Sequence, residues 1–522
     1  MSTHEPYDWT VMIYLAGNNS LGEDCVAALM QMAEAKISDK IAVFVQLNTG
    51  IHDRTTLRIT TATTVDEIHK QLNAALAARV RKRAENPEKE REHPHKERIF
   101  EFVSDCLNEC GAKHTMLVLS GHGDGVGAFL REDGGKTSFT VINFGQLLER
   151  IDTKLLNGKR IDILGLDSCL MSMTEIAYLV HTHVKVMIGA EGFEPMAGWP
   201  YTQVLERISQ IPNDVPSLSK AIVCDYIKHY TVFQAANVSV DQAACDVENG
   251  AVDLMKAIQS LGEPLRESLE AFRQDGKTNA DVRDAVLLSH WEAQLYKNEQ
   301  YTDLYDFCTL LKPRLNNEKH SAIRRGCQNV LNAIVGAARQ KEIEGPDGEP
   351  ELADKEFKAL RSDRDEFMGA VNFQQVGGFV LKSCYSGWGV QYSFGVSIYF
   401  PWSEIPSDLD EYRELNFSRD SRWADFLGTY LGATKRPPRP GAQDPTSYRS
   451  GFLRSRFNVV QGTGFTAGFV SGHRNAEPNK NAEPNKGLTN LVGSMKNPAT
   501  DFSRCACEDE SNAAGGGEGN RQ

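Results

Sequence analysis

Long hydrophobic runs are missing from this chain of 522 residues. No stretch approaches the roughly 18 apolar residues that a membrane-spanning helix requires. An excess of basic charge is missing too: 57 Lys and Arg stand against 70 Asp and Glu, for a net charge of −13. That balance argues against a general binder of nucleic acid or of membrane surfaces. The opening "MSTHEPYDWT" lacks the basic, apolar and small-residue succession of a secretory leader. An even cysteine count is also absent; the eleven cysteines are mostly scattered and fit reduced thiols in a cytoplasm better than a disulfide framework. What remains is ordinary globular composition, 41% hydrophobic and 24% charged, on a chain long enough for two or three domains.

From about Trp9 to Ile211 the pattern alternates strand and helix. "WTVMIYLAG", "KIAVFVQLN", "TMLVLSG", "RIDILGLDS" and "VKVMIGAE" are short, nearly continuous apolar runs. Such runs suit strands covered on both faces, as in a parallel sheet. Amphipathic stretches lie between them at Leu21–Ala35, Val65–Glu85, Lys96–Cys110, Phe144–Thr153 and Met171–His181, and "TLRITT" predicts one short extra strand. The expectation is an α/β layered fold with a mostly parallel sheet flanked by helices. The charged interruption "RKRAENPEKEREHPHKER" reads as a helix end and a loop. His93 and His95 within it are expected to be solvent-exposed, and no metal site is assigned.

In "HTMLVLSGHGDGVGAFL" a buried strand ends at His122, which stands between Gly121 and Gly123. Ligand sites in open α/β sheets form outside the carboxyl ends of strands. Flanking glycines leave room for a substrate backbone, and the Gly123 N–H becomes a usable donor. A histidine that only caps the strand is the plainer alternative. "GHGDGVG" also invites a phosphate-loop reading, but no helix follows at once; the chain runs into the turn-rich "AFLREDGGKTS". The next strand, "RIDILGLDSCL", ends in the same manner at Asp167, Ser168 and Cys169. Consecutive βαβ units place the two strand ends side by side. A cysteine at a helix N-terminus beside an imidazole has a lowered thiol pKa. A small buried cysteine is the competing reading of Cys169 alone; the pairing with His122 favours a nucleophile and its base.

"VLSGHGDG" with "ILGLDSCLMSMTEIA" and "IGAEGFEPMAGWPY" resembles the clostripain-type cysteine peptidases, within the wider caspase, gingipain and legumain fold. "WTVMIYLAGNNSLG" and "GVSIYFP" are supporting matches, so the resemblance runs from about Trp9 to Leu431. It implies an endopeptidase acting on proteins or peptides, with Cys169 attacking the scissile carbonyl and His122 as general base, then acid. Backbone N–H groups of Gly123 and Cys169 would form the oxyanion hole, at about 3 kcal/mol per donor. Asp124 is expected to be a solvated turn residue. The resemblance further implies cleavage after Arg or Lys, with Asp167 in the pocket and Ser168 and Glu191 lining it. A second acidic position before "GWPY" is here Ala197, and Glu191 or Glu194 could supply the missing charge. Self-processing would fall in "LREDGGKTSF", with Lys136 as the candidate position. No cofactor is required. Calcium assists some relatives, and "REDGG" and "DLDEYRE" could hold it, although no EF-hand spacing is present. A catalytically silent, caspase-like module that binds protein partners is the alternative.

Three parts are expected: a caspase-like core over 1–212, a mainly helical part over 213–433 that packs on it, and a Pro/Gly-rich, disordered tail over 434–522. "NVSVDQAA" in the second part looks like a strand that extends the sheet, and His290 reads as a helix-face residue. In the tail, "NAEPNK" occurs twice in tandem as a spacer, and Cys505 and Cys507 form only a weak Cys-x-Cys pair.

Overall fold

The structure is a computed structural model that describes residues 7–49, 54–85, 95–131, 139–233, 238–297, 299–344, 378–402 and 406–434. Lys136, His93, the tandem "NAEPNK", Cys505, Cys507 and the rest of the tail from 435 lie outside the described residues.

The apolar runs become strands because both of their faces are covered. Every residue of β2 (Ile41–Thr49) and of β5 (Ile161–Asp167) is buried. Along β1 (Tyr7–Gly17), Trp9, Val11, Ile13 and Leu15 enter one core while Met12, Tyr14 and Ala16 enter the other, the two-residue period of a strand. With β3 (Thr55–Ile59), β4 (Ala112–Ser120), β6 (Val184–Gly189), β7 (Val240–Asp246) and β10 (Val380–Ser386), these strands form one eight-stranded sheet. Its order is β10-β7-β6-β5-β4-β1-β2-β3. The pairings from β2 through β6 are parallel, whereas β3, β7 and β10 pair antiparallel to their neighbours. The fold is therefore the expected α/β layered sheet.

Helices Gly22–Glu34, Tyr201–Gln210 and Val215–Thr231 cover one face through residues such as Leu29, Val204 and Ile222. Helices His95–Glu109, Val141–Ile151 and Val247–Asp275 cover the other through residues such as Phe102, Phe144 and Leu261. The part after residue 212 is mostly helical, yet it returns β7 and β10 to the same sheet. A three-stranded sheet, in the order β11 (Ser397–Tyr399), β9 (Tyr301–Asp303), β8 (Leu295–Tyr296), sits beside the site.

Two expectations are corrected. His95 is not solvent-exposed: it is buried, and its Nδ1 lies 2.9 Å from the Tyr14 hydroxyl. Burial, with Arg98 nearby, lowers its pKa to about 4. The helix after Cys169 does not begin at Met171; it runs from Thr174 to Val180. Met171–Met173 stay outside the helix because they are tied to distant chain: Ser172 N donates to Ala190 O, Ser397 N donates to Ser172 O at 3.0 Å, and Ser172 Oγ donates to Gly395 O at 2.7 Å.

Candidate active site

Strands β4 and β5 are neighbours, with Ser120 opposite Asp167, so His122 and Cys169 each stand two residues past a paired position. Gly121 N donates to Asp167 O and continues the pairing one step beyond the strands. The structure thus brings the two predicted catalytic residues to one rim. Gly123 packs directly on the backbone of Cys169: a Cβ there would lie 2.2 Å from Cys169 O and 3.1 Å from Cys169 N. The loop after it folds back as a narrow ladder in which Asp124 N donates to Ala128 O and Leu130 N to His122 O. Gly123 faces Phe129 across that ladder at the position whose N–H the ladder does not use. An amide there suits an oxyanion donor, as does that of Cys169. Leu170, next after Cys169, takes a left-handed conformation with φ 65°, a sharp turn at the rim.

The thiol is not the low-pKa thiolate expected from a helix N-terminus. With the helix start displaced to Thr174, no dipole acts at Cys169. Instead the loop 190–198 covers it: Glu194 N donates to Sγ at 3.3 Å, and Sγ lies 3.7 Å from Glu194 O. Burial first, and the nearby Glu194 carboxyl second, push the thiol up to about 12. In this state Cys169 is a thiol and needs a base.

Asp167 is buried and densely bonded. Tyr201 OH donates to its Oδ2 at 2.7 Å, and Gly198, at φ 66°, closes over it with room for no Cβ. Burial raises its pKa, opposed by hydrogen bonds from Tyr201, Ser120 and Glu194. Glu194 is held well above the usual carboxylate range by burial and then by Asp167. Both carboxyls are thus pushed towards the protonated form, each disfavouring the other's charge. Gln242 Nε2 donates to Glu194 at 3.0 Å and steadies the pair. Ser168 is buried beneath Gly123, its Oγ without a hydrogen-bond partner among the described residues. Ala197 is exposed.

Glu191 stands apart from this group. It is fully buried, accepts from Gly395 N at 2.6 Å, and lies against Asp303. Its neighbour Asp241 accepts from the N–H groups of Glu191 and Gly192. This second carboxyl group joins β7 and β9 to the 190–198 loop and faces the frame, not the rim. Asp124 pairs with Lys297 at 2.6 Å. His290 is buried in the last turn of helix Ala280–Glu292, stacked 3.7 Å from the Phe400 ring, its Nδ1 3.0 Å from Tyr430 OH. Tyr201, Trp199 and Gln242 around Asp167 were not singled out by sequence. "GWPY" carried a signal for the first two; Gln242 enters from a strand that is remote in sequence.

The family model of peptidase C11, the clostripain family, matches residues 13–430. No curated protein sequence matches this one. Among solved structures, a secreted C11 cysteine protease from Bacteroides thetaiotaomicron, in complex with an irreversible peptide inhibitor, is 15% identical at a TM-score of 0.48 over 80% of this chain and 99% of that chain. An inactive zymogen C11 protease from Parabacteroides distasonis is 14% identical at a TM-score of 0.48, again over 80% of this chain and 99% of that one.

Proposed function

The chain belongs to the clostripain family of cysteine peptidases, and from that premise we propose that it is an endopeptidase working through a Cys169–His122 dyad with a preference for Arg or Lys before the scissile bond. The observation that carries this reading is the joined rim of β4 and β5, where Gly123 abuts the backbone of Cys169.

His122 takes the proton from Cys169 as Sγ bonds to the carbonyl carbon. The carbonyl oxygen becomes an oxyanion held by the N–H groups of Gly123 and Cys169. The imidazolium then protonates the leaving amine, and water hydrolyses the acyl-enzyme with His122 again as base. A thiol pushed up to about 12 makes the base indispensable. The neighbouring carboxyls of Asp167 and Glu194 support a basic side chain before the scissile bond, since an entering guanidinium would favour their ionised form. Glu194 thereby supplies what Ala197 lacks.

Self-processing after Lys136 belongs to the same reading, and so does a cytoplasmic setting, which the nine free cysteines of the described residues support. Calcium is an optional activator in this scheme. The test is turnover of fluorogenic peptides with Arg, Lys, Asp, Asn or Leu before the scissile bond, with and without calcium, by wild type, Cys169→Ala and His122→Ala. Intact mass of each protein is measured in parallel. Wild type cleaves after Arg or Lys, both variants lose at least a thousandfold in kcat, and only wild type is cut near Lys136. Equal turnover by wild type and Cys169→Ala overturns the assignment; binding of protein partners without turnover would favour the silent module.

A further inference from the structure

Ser20 lies in the turn "AGNNSLG" between β1 and the helix Gly22–Glu34, in a part of the chain that the dyad does not use. Because β1 pairs with β4, up to Leu15 opposite Ser120, this turn opens on the same rim as His122. Ser20 Oγ lies 3.0 Å from His122 Nε2. The turn is built to hold it there. Asn19 Nδ2 donates to Ala16 O at 3.1 Å and to Arg131 O at 2.7 Å, and Asn19 Oδ1 accepts from Leu21 N at 2.9 Å. The helix that follows starts with no side-chain cap, although a serine one residue before its N-cap could approach the free amides. The hydroxyl is directed at the imidazole instead.

We propose that Ser20 is a positioning residue of the peptidase reaction, its hydroxyl accepting the Nε2–H of His122 and thereby assigning the thiol's proton to Nδ1. The inference rests on the dyad reading above. When His122 takes the proton from Cys169 it becomes imidazolium, and the Nε2–H···Oγ bond becomes charge-assisted. That bond is stronger in the transition state than at rest, so its loss appears in kcat and not in KM. A hydrogen bond to a charged group corresponds to roughly tenfold or more in rate, with solvent access at Ser20 keeping it near the lower end.

The experiment compares wild type, Ser20→Ala, Ser20→Thr and Cys169→Ala on one cleaved peptide between pH 5.5 and 9. Alongside it, the side-chain nitrogen resonances of His122 are recorded in the Cys169→Ala background with and without each Ser20 substitution. Ser20→Ala is expected to lower kcat about tenfold with KM unchanged within twofold, and Ser20→Thr to restore it. The Nε2 resonance moves in Ser20→Ala and returns in Ser20→Thr. Unchanged kcat, a change confined to KM, a threonine variant as poor as alanine, or an unmoved Nε2 resonance each overturns the role of Ser20. Retained turnover in Cys169→Ala, by contrast, overturns the dyad reading itself, and the resonance test still decides whether Ser20 holds the ring.

Discussion

At Gly123 the Cys169 carbonyl sets the tolerance. A Cβ 2.2 Å from Cys169 O meets backbone, which cannot rotate aside as a flexible side chain would. Gly123→Ala should therefore spread the rim and misplace the oxyanion amide, costing about 1–3 kcal/mol of stability and at least a hundredfold in kcat. Thermal unfolding and peptide turnover, read on the same preparation, check both effects; full activity would mean the rim is looser than described. The two glutamates of "GAEGFEP" show how little separates frame from site. Glu191 turns inward to Gly395 N and Asp303, while Glu194, three residues on, borders Cys169 and Asp167. Spacing alone could not divide those roles, because the loop between them has no regular period.

The elements divide in the same way between the legible and the hidden. The parallel strands could be read because burial on both faces demands unbroken apolar runs, and the carboxyl-end rule then placed His122 and Cys169 together. The order of strands was not written in those runs, so the adjacency of β1 to β4, which brings Ser20 to the rim, stayed hidden. Strand β10 reads "VLKSCYS" and escaped notice because Lys382, Ser383 and Ser386 are buried there despite their polarity. The helix after Cys169 was placed three residues too early because the apolar spacing of the helix continues back to Met171, whereas Met171–Met173 are held out of it by Gly395 and Ser397. The misplaced start reverses the expectation for the thiol. With the 190–198 loop over it and its pKa pushed up to about 12, the resting thiolate fraction is small and grows with pH. Alkylation of Cys169 by iodoacetamide should rise about tenfold per pH unit from 7 to 9 with no plateau, as followed by peptide mass mapping. A plateau near pH 7 would show a preformed thiolate.

Across the whole molecule, buried titratable groups pull stability in two directions. His95 and His290 are held neutral, with pKa lowered from 6.5 to about 4 and about 3. Below pH 6.5 the unfolded chain takes up protons that the fold refuses, so stability falls as pH falls. Asp241 is raised from 3.8 to about 6, and Glu191 and Glu194 go further in the same direction. There the fold keeps protons that the unfolded chain has released, so that contribution is lost as pH rises through 6 and beyond. Because these carboxyls begin to act just above pH 4 and outnumber the two histidines, the melting temperature should peak between about pH 4 and 5 and drop by roughly 5 °C by pH 8. Glu191→Gln, which cannot ionise, should flatten the alkaline side. Calorimetry from pH 4.5 to 9 tests this, and a level profile from 6 to 9 would contradict it. The ties from Ser172 to Gly395 and Ser397 span more than two hundred residues, and they give the site a place in time as well as in space. A nascent chain carries Cys169 long before it carries the segment that anchors the loop after it.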